Sequence, residues 1–160
     1  MQKEQKVVTH GEDVTKWLAA LRIFAGGFFL NAGIAKLTPG FFAGMEETLK
    51  GFAGNAPAWY GDFLLNTAVP NAKVFAALVS IGEVAVGACL LLGLFTGFAS
   101  LMGAVMTANY YLATASIGPA SEGINLYATV VFLILLATHA GRTWGIDYFL
   151  ARKRSGWILW

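Results

Sequence analysis

Four long apolar stretches dominate the pattern of hydrophobic and polar positions along the chain. They cover residues 17–37, 74–95, 97–115 and 123–140, and few polar side chains interrupt them. At 1.5 Å per residue, about 20 residues cross a hydrocarbon layer about 30 Å thick. Lipid permits only helices or closed barrels, and the stretches lack the period-two alternation of barrel strands. The pattern predicts an all-α integral membrane four-helix bundle, a single membrane domain over residues 1–160.

The connections between these stretches differ in length and predict how the bundle is arranged. Residues 38–72 are too many for an idle loop, and apolar residues recur in them at helical spacing, with a second such segment from Trp59 that ends before Pro70. We predict short interfacial helices there that form an outer cap. The second and third spans follow each other with almost no linker and are joined through residues 93–97. These spans are therefore predicted to be antiparallel neighbours.

The charges at the two sides of the predicted bundle set its orientation. The terminal segments carry seven Lys and Arg residues, and the opposite side carries Lys36, Lys50 and Lys73. The positive-inside rule therefore predicts a multi-pass protein of the cytoplasmic membrane with both termini in the cytoplasm. Residues 141–160 are predicted to form a cytoplasmic segment with an interfacial helix, which would contain Ile146, Phe149, Leu150, Arg152, Lys153 and Arg154, with Trp157 and Trp160 as anchors.

Composition and residue counts exclude several classes of protein. Hydrophobic residues make up 57% and charged residues 12% of the 160 residues, whereas soluble domains carry roughly 25% charge. A net charge of +2 is too weak for nucleic-acid binding. The single cysteine, Cys89, excludes a paired-cysteine thiol oxidoreductase, and two histidines cannot ligate two haems. Without a Cys/His cluster, no metal or haem is expected.

Two charged residues, Arg22 and Glu83, lie deep within predicted spans, where a charge is costly and usually paired or functional. If Lys36 and Lys73 mark the outer surface, Arg22 is about 21 Å deep and Glu83 about 15 Å deep. This difference is within the length of an arginine side chain, so we predict an Arg22–Glu83 ion pair in the bundle interior. Two roles stay open: locking the first two spans together, or handling protons or ligand.

Further polar residues converge on one layer in the outer half of the predicted bundle. The first, third and fourth spans contribute to this layer, which consists of Asn31, Asn109, Tyr110, Tyr111, Asn125 and Tyr127. With Lys36 and Lys73 they would form an anion-accepting pocket that opens outward; the alternative is hydrogen bonding between helices. Glycines near the deep charges, among them Gly26, Gly33, Gly82 and Gly87, favour close approach of the helices.

Three segments resemble a known family of small four-helix membrane proteins. Residues 22–37 contain Gly26, Gly33 and Lys36, residues 82–96 contain Gly-Glu-Val-Ala-Val-Gly, and residues 141–147 read Gly-Arg-Thr-Trp-Gly-Ile-Asp. Their order and spacing resemble the DoxX/DoxD family over about residues 17–150, and the third segment resembles the DoxD-like branch.

That branch resembles the membrane subunit of thiosulfate:quinone oxidoreductase, which couples two thiosulfates to tetrathionate and passes the electrons to a membrane quinone, a diffusible co-substrate. For this reaction we predict catalytic roles for Arg22, Glu83 and Tyr110 from their estimated depths, with Glu83 or Tyr110 relaying protons to the quinone. The same depth estimates predict a binding site for thiosulfate or quinone that would use Asn31, Lys36, Lys73, Asn109, Tyr111, Asn125, Phe29 and Trp59. A second subunit or a soluble redox partner, and a homo-oligomer, stay open as partners beside the lipid bilayer.

Two other functions fit the same residues. A small proton-coupled transporter would use Glu83 as its carboxylate and Arg22 as a switchable partner, and a non-catalytic scaffold or assembly partner would use the basic C-terminal surface. Stabilisation by quinone or thiosulfate would support the oxidoreductase, proton-coupled uptake into liposomes the transporter, and a co-purifying protein without either activity the scaffold.

Overall fold

The structure, a computed structural model, describes residues 2–153, without the side chains of residues 2–10, 12 and 153. Over this range it is helical and contains no strand, which confirms the all-α prediction. The α-helices are α1 (Gln2–Lys36), α2 (Pro39–Ala53), α3 (Ala58–Phe63), α4 (Ala72–Leu92), α5 (Thr96–Ala113), α6 (Pro119–Thr138) and α7 (Asp147–Lys153). The predicted anchors Trp157 and Trp160, and Arg154, lie outside the described residues.

Three helical stretches in the described part of the chain are long and apolar enough to cross a membrane. They are Asp13–Lys36, Ala58–Leu92 and Pro119–Thr138, and they confirm a membrane protein with several apolar helices. Helix α5 matches the third predicted span in position but does not belong to this set. Its second half contains Thr107, Asn109 and two tyrosines, which lower its hydropathy. The count of four spans stays a prediction.

Helices α1 and α4 run antiparallel to each other. They pack closely because glycines lie at their contact. A Cβ atom on Gly33 would lie 2.6 Å from the backbone nitrogen of Val84, and a Cβ atom on Gly87 would overlap the backbone of Leu30. Gly26 contacts the same helix further along. The predicted close approach through these glycines is confirmed. It also sets the axial position of α1 against α4, which decides which polar groups meet.

The remaining long helices complete a bundle around one apolar core. Helix α4 ends at Leu92 and is capped by Gly93, which has a φ of 61°. Helix α5 begins at Thr96, so the chain reverses direction within a few residues and the predicted antiparallel pair is confirmed. Helices α5 and α6 are joined by a hydrogen bond of 2.8 Å between the hydroxyls of Thr107 and Thr129. The core between the helices contains Phe29, Val86, Leu90, Ala99, Ala104, Phe132, Leu135 and Ala140.

Helix α2 is amphipathic, as predicted, and covers one end of the bundle. The Thr38 hydroxyl accepts a hydrogen bond from the Phe41 N–H, which caps the N-terminus. A second apolar cluster joins α2 to the next helices and contains Met45, Leu49, Tyr60, Leu64, Ala68, Ala76 and Ala113. On the exposed face, Lys50 lies 2.7 Å from Glu46 and lowers the pKa of that carboxyl through their hydrogen bond.

The second cap segment is continuous with α4, which differs from the predicted end before Pro70. A π-helical turn (Leu64–Ala68) and a 3₁₀ turn (Val69–Asn71) link α3 to α4. Proline lacks an N–H and normally breaks a helix, but a change in hydrogen-bond spacing can absorb it. We call the end that carries α2 and α3 the cap end, and the end that carries residues 139–147 the tail end.

Candidate functional site

A cavity of about 590 Å³ lies at the cap end, between α2, α3 and the facing sides of α4 and α5. Its lining is mainly apolar and aromatic, with a few polar side chains. Both its size and its lining are typical of a site for a small organic molecule. The lining residues are Lys36, Phe41, Met45, Thr48, Leu49, Phe52, Tyr60, Phe63, Leu64, Phe75, Leu78, Val79, Val105, Met106, Asn109, Tyr110, Ala113, Thr114 and Asn125.

A buried carboxylate with two partners forms the polar end of the cavity. The Lys36 ammonium lies 2.5 Å from one oxygen of Glu83, and the Tyr110 hydroxyl donates a hydrogen bond of 2.9 Å to the other oxygen. The side chain of Glu83 is 3% exposed and that of Lys36 is 29% exposed. Lys36 and Tyr110 line the cavity, and Glu83 lies behind them. Both carboxylate oxygens are therefore satisfied. The Tyr110 hydroxyl uses its single hydrogen on Glu83, and the Lys36 ammonium keeps further N–H donors.

Local sequence explains how three helices bring these groups together. Gly33 lets α1 approach α4 directly beside Glu83, since a Cβ on Gly33 would lie 3.0 Å from the Cβ of Glu83. Lys36 follows less than one turn later on a nearby face, so its long side chain reaches the carboxylate. Tyr110 lies on α5, one turn before the end of that helix at Ala113. Each helix thus contributes one member of the cluster.

Asparagines at the rim of the cavity are engaged in local hydrogen bonds. The Tyr60 hydroxyl donates to the Asn109 side-chain oxygen at 3.0 Å, and this links α3 to α5. The Asn125 amide donates to the Thr114 hydroxyl at 3.3 Å and to the Ser121 carbonyl at 3.0 Å. Both asparagines join elements of the bundle, as the alternative interpretation of the polar layer expected, and both also line the cavity.

The structure brings part of the predicted site together. Lys36, Tyr110, Asn109 and Asn125 line the cavity, and Glu83 is bound to two of them. The other predicted residues do not line it. Sequence reasoning missed Thr48, Tyr60 and Thr114 as lining residues.

Five predicted site residues lie elsewhere, each for a visible structural reason. Phe29 is in the bundle core, where its ring meets that of Phe132 edge-on at 4.7 Å. Trp59 is 65% exposed. Asn31 on α1 and Lys73 in the first turn of α4 are exposed, and Tyr111 on α5 is half-buried beside the cavity residue Tyr110. Lys73 therefore adds no positive charge to the cavity.

The predicted Arg22–Glu83 ion pair is wrong. Arg22 is fully buried, as expected, but its guanidinium donates to the Trp144 carbonyl at 3.0 Å and packs against Gly93. Gly93 is ten residues beyond Glu83 on the same helix, which corresponds to about 15 Å. The error came from treating Lys36 and Lys73 as level. Because Gly33 packs beside Glu83, Lys36 lies close to the depth of Glu83 and well below Lys73.

A second buried polar cluster holds the tail end, and sequence reasoning did not predict it. The Asp147 carboxylate accepts hydrogen bonds of 2.8 Å from the N–H groups of both Phe95 and Thr96, at the start of α5. Gly141 packs against Thr96 and Asp147. A signal was present, because the residues meeting here belong to the segments that carry the family resemblance: Arg22, Gly93, Thr96, Gly141, Trp144, Gly145 and Asp147.

Fold and site together define a helical membrane protein whose internal apolar cavity ends in a buried, hydrogen-bonded ion pair. Comparison with known families identifies the family within this class of membrane proteins. Residues 17–159 match the family described as TQO small subunit DoxD, and the chain belongs to this family. The resemblance found in the sequence is confirmed. No solved structure was found to match the chain.

Proposed function

We propose that this chain is a membrane subunit of a thiosulfate:quinone oxidoreductase and that its cap-end cavity binds the quinone ring. Membership of the DoxD family suggests a subunit of this kind. The observation that carries the proposal is the cavity itself, a mainly apolar space of about 590 Å³ with Lys36 and Tyr110 at its polar end. A quinone has the same division, a flat apolar ring with two oxygens that accept hydrogen bonds.

The overall reaction requires electrons and protons to reach the quinone. Two thiosulfate dianions form one sulfur–sulfur bond in tetrathionate and release two electrons. The quinone takes both electrons and two protons and becomes a quinol. A ring oxygen near the Lys36 ammonium would be stabilised as negative charge develops on it. The Tyr110 hydroxyl would become a second donor to the ring by turning its single hydrogen away from Glu83. Glu83 connects the lysine and the tyrosine and can pass on a proton.

Charge in the cavity favours quinone over thiosulfate. Lys36 is the cation among the lining residues, and its partner Glu83 neutralises it at 2.5 Å. A dianion needs fixed positive charge that is not already paired. Lys73, the other lysine of the predicted anion pocket, is exposed and does not line the cavity. We therefore assign thiosulfate oxidation to a site outside this cavity, on a second subunit or a redox partner.

The transporter interpretation loses its main support in this arrangement. It required Arg22 to alternate as the partner of Glu83. The structure instead gives Glu83 a lysine and a tyrosine, and Arg22 two backbone carbonyls at the tail end. We therefore propose the oxidoreductase rather than the transporter.

Binding of a short-tailed quinone analogue to the purified chain in detergent tests this proposal. At a decylubiquinone concentration 100 times Kd, the chain should gain about 2.7 kcal/mol of stability, or roughly 5–11 °C in melting temperature. Tyr110→Phe should weaken this stabilisation, and Tyr127→Phe, at an exposed position of α6 that does not line the cavity, should not. A folded chain that gains nothing from ubiquinone or menaquinone analogues would refute the proposal.

A further inference from the structure

Two residues on adjacent helices face the cavity and the outer surface of the protein at once. Leu78 on α4 is 62% exposed and Val105 on α5 is 48% exposed, and both line the cavity. Helix α4 lies in a stretch that can cross a membrane. An exposed leucine in such a stretch faces lipid tails, and Val105 is the exposed lining residue on the neighbouring helix α5. The cavity therefore opens sideways between α4 and α5 toward the hydrocarbon layer.

The contacts between α4 and α5 show where this opening begins. Toward the tail end the helices are held by the short connection after Leu92, and a Cβ on Gly82 would meet the Met106 side chain at 3.3 Å. On the cap side of this contact, α4 contributes cavity-lining residues, Leu78 among them. Helices α4 and α5 thus touch at Gly82 and Met106, and the apolar opening lies on the cap side of that contact.

The polar and apolar parts of the cavity are at different places. Lys36 and Tyr110 mark its polar end against the buried Glu83, whereas Leu78 and Val105 form the opening to lipid. About 590 Å³ accommodates a drug-sized molecule, such as a quinone ring with the first part of a tail. A tail of many isoprene units exceeds this space and must continue outside the protein.

We propose, resting on the proposed function, that the ligand is a long-tailed lipid quinone that enters from the bilayer between α4 and α5. Its ring lies against Lys36 and Tyr110, and its isoprenoid tail leaves the protein between Leu78 and Val105. These two residues select for the tail, because they contact it and not the ring.

Narrowing the opening while leaving the polar end intact tests the route. Leu78→Trp should weaken binding of a long-tailed ubiquinone by about tenfold, because the larger side chain occupies the opening that the tail crosses. Binding of tail-less ubiquinone should change less than about twofold in the same protein. The matched control is Leu133→Trp, at an exposed position of α6 that does not line the cavity, and it should affect neither quinone. Affinity is measured by titration of each quinone into protein in lipid nanodiscs.

Each outcome of this experiment decides one question. If the unmodified protein binds neither quinone, the proposed function fails. If it binds both, and Leu78→Trp weakens both equally or neither, the route is wrong while the quinone site stands. Val105→Trp repeats the test from the other helix if Leu78→Trp does not fold, as judged from its melting temperature. Equal losses with both quinones in that variant likewise overturn the route.

Discussion

Removal of the Lys36 charge is the sharpest test of the polar end of the cavity. Lys36→Met keeps most of the side-chain length but leaves the Glu83 carboxylate, 3% exposed, with the Tyr110 hydroxyl as its remaining partner. Breaking a buried ion pair from one side typically costs about 3–5 kcal/mol, because an uncompensated charge remains. For a chain of this size that corresponds to about 6–20 °C in melting temperature.

Lys36 and Glu83 differ in exposure, and this predicts that removing one charge costs more stability than removing the other. Glu83→Gln leaves an ammonium that is 29% exposed and can turn toward the opening of the cavity. Its expected cost is about 1 kcal/mol, close to that of a partly solvated pair. The double variant Lys36→Met/Glu83→Gln has no charge left to strand, and replacing both partners of a buried pair is often nearly neutral. It should therefore melt well above Lys36→Met alone.

Melting temperatures in detergent, followed by intrinsic fluorescence, give the comparison. The control is Lys50→Met, which removes the cation of an exposed pair with Glu46 and should change the melting temperature little. The reasoning is refuted if Lys36→Met melts with the control, or if the double variant is as unstable as the sum of the two single changes.

Three further predictions concern packing and the tail end. Gly87→Ala should lower the melting temperature strongly, because its Cβ would overlap the α1 backbone. Gly27→Ala, whose Cβ would have nothing within 4 Å, should leave the free energy of unfolding unchanged or raise it by up to about 1 kcal/mol. Equal effects of the two variants would contradict the close packing of α1 and α4. Asp147→Asn should lower the free energy of unfolding by about 1.5–3 kcal/mol, because it weakens two backbone hydrogen bonds at the start of α5. The exposed control Asp62→Asn should change it little, and chemical denaturation measures both. Arg22→Met should speed tryptic cleavage of the C-terminal segment, and an unchanged rate would show that the guanidinium does not hold it.

The helices and the amphipathic cap were predictable because their signals are local. A run of about 20 apolar residues fixes a membrane helix, and the spacing of Met45 and Leu49 fixes the buried face of α2. The partner of Glu83 was not predictable in this way. It depends on the axial position of α1 against α4, which the contact of Gly33 with Val84 sets. A lysine at the end of a span also does not mark the membrane surface when its side chain turns inward, as that of Lys36 does.

Part of the error in the site could have been avoided from helix geometry alone. At 100° per residue, Asn31 and Lys36 point about 140° apart, so both cannot face one pocket. The neighbouring tyrosines Tyr110 and Tyr111 are about 100° apart, and the structure brings one of them to the cavity. The contact of Arg22 with Trp144 joins residues 122 positions apart, and periodicity carries no information on such pairs. The clustering of family motifs was the available signal.

The burial of Arg22 has a consequence for biosynthesis. Its carbonyl partners, Thr143 and Trp144, are made more than 120 residues later, so the first helix enters the membrane with a guanidinium that has no mate yet. Until residues 143 and 144 have left the ribosome, that charge must remain solvated by water or lipid headgroups. Nascent chains cut short before this point would keep it unsatisfied, which would expose them to quality-control proteases. The first helix thus acquires the partners of its buried charge only after all the other helices of the bundle have been made.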